Sequence, residues 1–218
     1  MKSYQNLSLL QNLYRMKMAG FEYIDPIVIN KANINLSFEN MLELSTAVSK
    51  CHLCDLSKSR SQSMSGEGNI YADVMIVDAS VSDIQNDRNS YFVGKSGEIL
   101  EKMVENVLGL KTSDIYITHI AKCKPLGANK VSSSEYNSCK PYLLRQIELI
   151  NPTIIIVLGD EAYRVLSEDT TPFENIRGQK IKFMNKNLVT IHHPQHLLRN
   201  PSLKKETLYD LQMIKSFL

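Results

Sequence analysis

The four cysteines of this 218-residue chain are the side chains whose type and spacing most directly predict chemistry. Cys51 and Cys54 form a C-x-x-C pair, whereas Cys123 and Cys139 follow much further along the chain and are widely separated. Zinc sites usually draw on two short C-x₂₋₄-C pairs, and an iron–sulfur cluster takes four thiolates from more scattered positions. The spacing therefore favours an iron–sulfur cluster and leaves zinc as the alternative.

Disulfide bonds are the third interpretation of these cysteines, and the rest of the chain argues against them. Residues 1–20 mix polar and apolar side chains and lack the pattern of a secretory signal. A chain of this length also buries roughly 70% of its unfolded surface and does not need covalent cross-links. We therefore expect reduced thiols in a cytoplasmic, monomeric protein.

Composition and charge indicate a globular protein with one strongly basic segment. Apolar residues make up 43% of the chain and charged residues 22%, and no apolar run approaches a membrane span of ~20 residues. The net charge is only +2, but residues 177–205 hold seven Lys or Arg and no acidic residue. A basic field of this kind suits a polyanion such as a nucleic acid, with a solvated basic face as the alternative, and without an apolar run we expect no membrane.

The N-terminal part of the chain differs in pattern from the rest. Residues 6–19 carry apolar side chains at helical spacing, and residues 25–37 have the polar composition of a linker. We therefore divide the chain into a helical extension over residues 1–37 and an α/β domain over residues 38–218. The helix over residues 6–19 is expected to pack on that domain or to dock a protein partner.

The α/β domain shows four short apolar, β-branched runs that alternate with helical patterns. The runs cover residues 73–78, 115–120, 153–158 and 188–192, and the helical patterns cover residues 38–49, 97–108, 134–150, 161–166 and 203–218. This alternation predicts a three-layer α/β/α sandwich around a central, four-stranded, mainly parallel sheet. Ligands bind outside the carboxyl ends of such strands, where residues 78–97, 119–130, 159–162 and 192–199 form the loops.

These loops contain side chains that suit a nucleic acid. Phe92 lies in the segment F-V-G-K-S-G, whose glycines permit a tight turn and open a helix that can face an anion. By itself, Phe92 is more often a core residue than a ring that meets a ligand. Lys122 and Lys124 flank Cys123 and can reach phosphates. Leu197 and Leu198, followed by Arg199, form an apolar pair on a basic rim, as in proteins that wedge a side chain between bases; we expect one of the two to anchor the following helix instead.

Taken together, these motifs resemble the uracil-DNA glycosylase superfamily over about residues 50–218, and most closely its iron–sulfur branch, family 4. The resemblance rests on C-x-x-C-x-L (51–56), G-E-G-N (66–69), F-V-G-K-x-G (92–97), K-C-x-P (122–125), C-x-P-Y-L (139–143), P-x-x-I-x-x-L-G (152–159) and H-P-x-x-L-L-R-N-P (193–201). It implies a base-excision repair enzyme that hydrolyses the N-glycosidic bond of uracil flipped out of single- or double-stranded DNA.

The resemblance also implies individual roles. Phe92 would stack on the flipped base, His193 would donate to the base O2, and Leu197 would fill the gap in the duplex. Arg199, Lys122 and Lys124 would contact DNA. A structural [4Fe–4S] cluster would be held by Cys51, Cys54, Cys123 and Cys139.

The chain departs from the family at two positions. The glutamate that orients the attacking water is replaced by Ala79, with Asp78 one place earlier, and the asparagine that reads the base edge is replaced by His119. We expect Ala79, Phe92 and His119 to line the base site, with Asp78 and His193 as catalytic residues. The alternative is a catalytically weak or inactive relative that binds nucleic acid.

Overall fold

The structure is a computed structural model that describes Met18, residues 38–125 and residues 130–218, with Ser59 described by its backbone alone. Apart from Met18, the predicted helix over residues 6–19 lies outside the described residues. Its docking role and the domain boundary after residue 37 therefore stay predictions. No helix within the described ranges is long and apolar enough to cross a bilayer.

A six-stranded sheet runs through the described part of the chain, with the order β1-β3-β2-β4-β6-β5. The strands are β1 (Glu67–Gly68), β2 (Val74–Ser80), β3 (Tyr116–Ala121), β4 (Ile154–Leu158), β5 (Ile181–Phe183) and β6 (Lys186–Ile191). The neighbours β3, β2, β4 and β6 pair in parallel, which confirms the predicted class of sheet. The predicted number of four strands is wrong.

The two additional strands are short antiparallel edges. β1 has two exposed residues and pairs with β3, and β5 has three partly buried or exposed residues and pairs with β6. Neither strand contains the continuous apolar run that marks a strand covered on both faces, so the sequence pattern does not reveal them. Short edge strands also offer little surface for pairing with another chain.

The helices that follow the predicted pattern begin within three residues of their expected starts. The described α-helices are α1 (Met41–Ser49), α2 (Leu56–Ser59), α3 (Asp83–Arg88), α4 (Gly94–Lys102), α5 (Ser133–Ile150), α6 (Gly159–Ser167), α7 (Phe173–Ile176), α8 (Pro194–Arg199) and α9 (Lys204–Lys215). A π-helical segment, Met103–Leu108, continues α4. Short 3₁₀ turns lie at Thr112–Asp114 and Pro201–Leu203.

Alternating side chains of the central strands form two separate cores, one on each face of the sheet. Met75 and Val77 pack with apolar residues of α5 and α6, while Val74 and Ile76 pack with residues of α4, α8 and α9. Successive side chains of a strand point to opposite faces, so a strand buried on both faces must be apolar throughout. This arrangement is the predicted three-layer sandwich.

Two glycines bring backbone segments together at the carboxyl end of the sheet. Gly159 has φ +83° and leads directly from β4 into α6, and a Cβ there would lie 3.0 Å from the Cβ of His193. A Cβ at Gly97 would lie 2.5 Å from the carbonyl carbon of Phe92. Glycine therefore lets α4 and α6 approach the loops on which the predicted site depends.

Candidate active site and thiol cluster

A cavity of about 400 Å³ opens at the carboxyl ends of β2 and β4. Its lining includes residues 78–82 and 93–97, together with Leu158, Gly159, Glu161, His193 and Gln195. These segments belong to three of the four loops in which the sequence predicts a ligand. The volume lies in the range of small-molecule sites, so the cavity can enclose a group of the size of a base.

Asp78 and His193 form a hydrogen-bonded pair in this cavity. The distance between Asp78 Oδ2 and His193 Nε2 is 3.1 Å, and both side chains are mostly buried. Asp78 Oδ1 accepts a second hydrogen bond of 2.7 Å from the backbone amide of Ala79. The two predicted catalytic residues are thus brought together, but both oxygens of Asp78 already hold partners. Asp78 is thus arranged to orient His193, and its assignment to the attacking water stays a prediction.

The tautomer of His193 follows from its second nitrogen. His193 is the N-cap of α8, and its Nδ1 accepts a hydrogen bond of 3.0 Å from the backbone amide of Gln195. A nitrogen that accepts carries no hydrogen in the neutral ring, so the hydrogen lies on Nε2 and is donated to Asp78. The site therefore presents a ring donor at a defined position.

Asp78 and His193 each stabilise the charged form of the other, as the shifts of their pKa values show. Burial acts to raise the pKa of Asp78, but His193 and the Ala79 amide outweigh it, and the pKa lies below its ordinary value. Burial likewise acts to lower the pKa of His193, but the charge and hydrogen bond of Asp78 place it above its ordinary value.

Glu161 is a second carboxylate in the cavity that the sequence analysis did not single out. It lies in the first turn of α6, and its Oε1 accepts a hydrogen bond of 3.1 Å from the hydroxyl of Tyr136. Its charge contributes to the raised pKa of His193. The feature of the sequence that could have pointed to Glu161 is its position, because it lies in the predicted loop 159–162 directly after a parallel strand.

Phe92 and His119, predicted to contact the base, are not among the residues that line the cavity. Phe92 is partly buried and packs against the core on the α4 side of the sheet. His119 is fully buried and stacks on Tyr91, with 4.7 Å between ring centroids. Burial lowers the pKa of His119 to about 4, so its ring is neutral at physiological pH. Ala79, by contrast, does line the cavity.

The two leucines of α8 divide the roles that the sequence left open. Leu197 is 1% exposed and packs in the core on the α4 side of the sheet, whereas Leu198 is 39% exposed and Arg199 is also exposed. The assignment of Leu197 as the side chain that enters the duplex is therefore wrong for this fold. On a helix, neighbouring residues point in different directions, and only the tertiary contacts decide which one faces the core.

The lysines beside Cys123 do not form a DNA surface. Lys122 is 1% exposed, and its Nζ donates to Thr118 Oγ1, to the His119 carbonyl and to Gln146 Oε1. Burial lowers the pKa of Lys122 to about 7, partly offset by the nearby thiols. Lys124 is partly buried and pairs with Asp83. The prediction of a DNA contact is wrong for Lys122, and Lys124 is engaged within the protein.

The basic segment of the sequence is also split by the fold. Lys182 and Lys186 lie in the β5–β6 hairpin at the amino end of β6, whereas Arg199 lies beyond its carboxyl end. A six-residue strand separates these ends by roughly 16 Å. Arg177 pairs with Glu174, Glu206 and Asp210. The seven basic residues counted along the sequence therefore do not all act at the cavity, and their number overstates the positive charge there.

The four cysteines converge although they come from distant parts of the chain. All four line one small cavity between the segment after α1, the segment after β3, and α5. Arg60 Nη1 donates to Cys123 Sγ at 3.3 Å, and the Lys122 amide donates to Cys139 Sγ at 3.3 Å. Within the described ranges, no three His, Cys, Asp or Glu side chains stand close enough together to hold a single metal ion.

Comparison with known proteins agrees with this fold. The profile described as Uracil DNA glycosylase superfamily matches residues 65–212. The type-4 uracil-DNA glycosylase of Saccharolobus solfataricus is 31% identical over 188 residues, which cover 83% of this chain and 87% of that protein. The type-4 uracil-DNA glycosylase of Thermotoga maritima is 31% identical over 185 residues, covering 83% and 96%.

The mainly parallel sheet thus carries an Asp–His pair in a cavity at its carboxyl edge. With the profile match over most of the chain, the chain belongs to the uracil-DNA glycosylase superfamily. The type-5 uracil-DNA glycosylase of Pyrobaculum aerophilum matches a shorter stretch, 27% identical over 108 residues, covering 47% of this chain and 46% of that protein.

Replacing Asp78 by asparagine should lower the pKa of His193, because the negative charge that raises it is removed. NMR titration of the His193 ring measures the change, with Asp83→Asn as a control in an exposed carboxylate that pairs with Lys124. The pair contributes stability between the two folded-state pKa values. It is lost as pH rises through the pKa of His193 or falls through that of Asp78. An unchanged His193 pKa in Asp78→Asn would contradict this coupling.

Proposed function

We propose that this protein is a DNA-repair glycosylase that hydrolyses the N-glycosidic bond of uracil flipped out of DNA. The observation that carries the proposal is the His193 ring, whose Nε2 hydrogen lies in a cavity of suitable size beside a carboxylate. Membership of the superfamily and the type-4 relatives support uracil as the base. A base must leave the stack to reach such a cavity, at a cost of a few kcal/mol.

His193 supplies the main electrostatic contribution. When the glycosidic bond breaks, negative charge develops on the leaving base, and a preorganised donor for that charge is worth roughly 3–4 kcal/mol. The Nε2 hydrogen is donated to Asp78 in the structure, and an oxygen of the bound base competes for it as its charge grows. Asp78 keeps the ring in place, because its other oxygen is tied to the Ala79 amide.

Leu198 and Arg199 are the exposed groups at the rim that suit a DNA duplex. Both follow His193 on α8, which is anchored in the protein by Leu197. An apolar side chain can fill the space left by a flipped nucleotide, and an arginine can pair with phosphate. We therefore assign to Leu198 the wedge role that the sequence analysis gave to Leu197.

The four cysteines are proposed to hold a structural [4Fe–4S] cluster. They share one cavity, and their scattered positions along the chain favour the larger group over zinc. The amide of Lys122 and the guanidinium of Arg60 already donate to two of the sulfurs and would stabilise thiolate charge. The group would link the segment after α1 to the sheet.

The wild-type protein should release uracil from single- and double-stranded DNA, and His193→Ala should slow single-turnover release by about 10²–10³-fold. Release is measured as strand scission at the abasic sites formed. The same assay on DNA that contains hypoxanthine or xanthine tests which base is accepted. His196→Ala is the matched control, because His196 is exposed on α8 and does not line the cavity. Salt-dependent DNA binding without release of any base would instead identify a non-catalytic nucleic-acid-binding relative.

Leu198→Ala should reduce release from duplex DNA while leaving release from single strands near the wild-type rate, because only a duplex has a gap to fill. Its free energy of unfolding should change little, since the side chain is exposed. Leu197→Ala should lower the free energy of unfolding by about 2–5 kcal/mol. Chemical denaturation and both release assays test the two variants. Wild-type release from duplex DNA by Leu198→Ala refutes the wedge assignment.

Arg60→Ala should lower the iron and sulfide content of the purified protein. Arg60 donates to Cys123 and also to the carbonyls of Val48 and Ser49, so it ties the end of α1 to the thiol cluster. Elemental analysis and visible absorbance measure the content. Lys58→Ala, an exposed neighbour, is the control. One zinc per chain and no iron in the wild type would overturn the iron–sulfur assignment.

A further inference from the structure

The cavity contains a carboxylate that the proposed chemistry has not yet used. Hydrolysis requires a group that accepts a proton from the attacking water. Position 79, where the resemblance expects a glutamate for this water, is an alanine, and both Asp78 oxygens are already bonded. Glu161 is the other carboxylate that lines the cavity.

The described surroundings of Glu161 hold its carboxylate in place without a basic residue that compensates its charge. Its Oε1 accepts the Tyr136 hydroxyl at 3.1 Å, and Tyr136 is itself buried beneath the cavity in α5. Within residues 38–125 and 130–218, no lysine or arginine forms an ion pair with Glu161, and its Oε2 has no protein partner. The carboxylate is exposed toward the cavity, where water has access.

Glu161 and the Asp78–His193 pair come from different strand ends. Asp78 lies near the end of β2, Glu161 follows β4, and His193 follows β6. The hydroxyl of Tyr136 joins the two halves, because it interacts with Ser80 as well as with Glu161. A base held at His193 would therefore have its sugar in a cavity that Glu161 also borders.

We propose that Glu161 is the catalytic base of this chain and that Tyr136 positions it. As the bond between C1′ and the base nitrogen breaks, the electron pair leaves with the base and is stabilised at His193. Water forms the new bond to C1′, and its proton passes to Glu161 Oε2. The base anion then takes a proton from solvent. The negative charge of Glu161 also favours the cationic sugar. The inference rests on the proposed glycosylase function.

The test compares Glu161→Gln with Glu98→Gln in single-turnover release of uracil. Glu98 is exposed on α4 and does not line the cavity, so the same chemical change there is a matched control. Glu161→Gln should slow release by about 10²-fold or more. Glu161→Asp should recover part of the rate, and Tyr136→Phe should lower it less than Glu161→Gln.

The affinity of Glu161→Gln for DNA distinguishes a loss of catalysis from a loss of structure. Glu161→Gln should bind uracil-containing DNA as tightly as the wild type by fluorescence anisotropy, since Glu161 acts on water and not on the base. Release by Glu161→Gln at the Glu98→Gln rate overturns this inference and leaves the glycosylase proposal intact. Absence of release by the wild type itself overturns both.

Discussion

Parallel pairing of β2, β4 and β6 is the constraint on which the site depends. Because these strands run in the same direction and in register, their carboxyl ends meet at one edge of the sheet. Asp78, Glu161 and His193 each lie at or just after one of those ends, although they are far apart in sequence. Both faces of the strands are packed in apolar cores, which hold the ends in fixed relative positions.

The donor at His193 depends on several weaker features that act together. Gly159 leaves room for the His193 side chain against the start of α6, and the Gln195 amide selects the tautomer. Asp78 supplies the opposing charge and is itself held by the Ala79 amide. A buried pair is favourable only when its remaining hydrogen-bonding capacity is satisfied, which is the case for both residues.

The thiol cluster and the cavity share structural supports. Cys139 and Tyr136 lie one helical turn apart on α5, so the helix that contributes a thiol also contributes the hydroxyl that holds Glu161. Lys122 is buried between Cys123 and β3, where its ammonium bonds to Thr118, Gln146 and the His119 carbonyl. The thiol cluster and the candidate site are therefore both attached to α5 and β3.

The sequence by itself determined the class of fold and the four parallel strands, because apolar periodicity is a local property. Its motif order also predicted a site at the carboxyl edge and named Asp78 and His193 as candidates, without predicting that they pair. Only the tertiary structure decided that Leu198 rather than Leu197 is exposed, that Lys122 is buried, and that Glu161 enters the cavity. Those outcomes depend on which face of a helix or strand meets the core, and that choice is made by packing between segments distant in sequence.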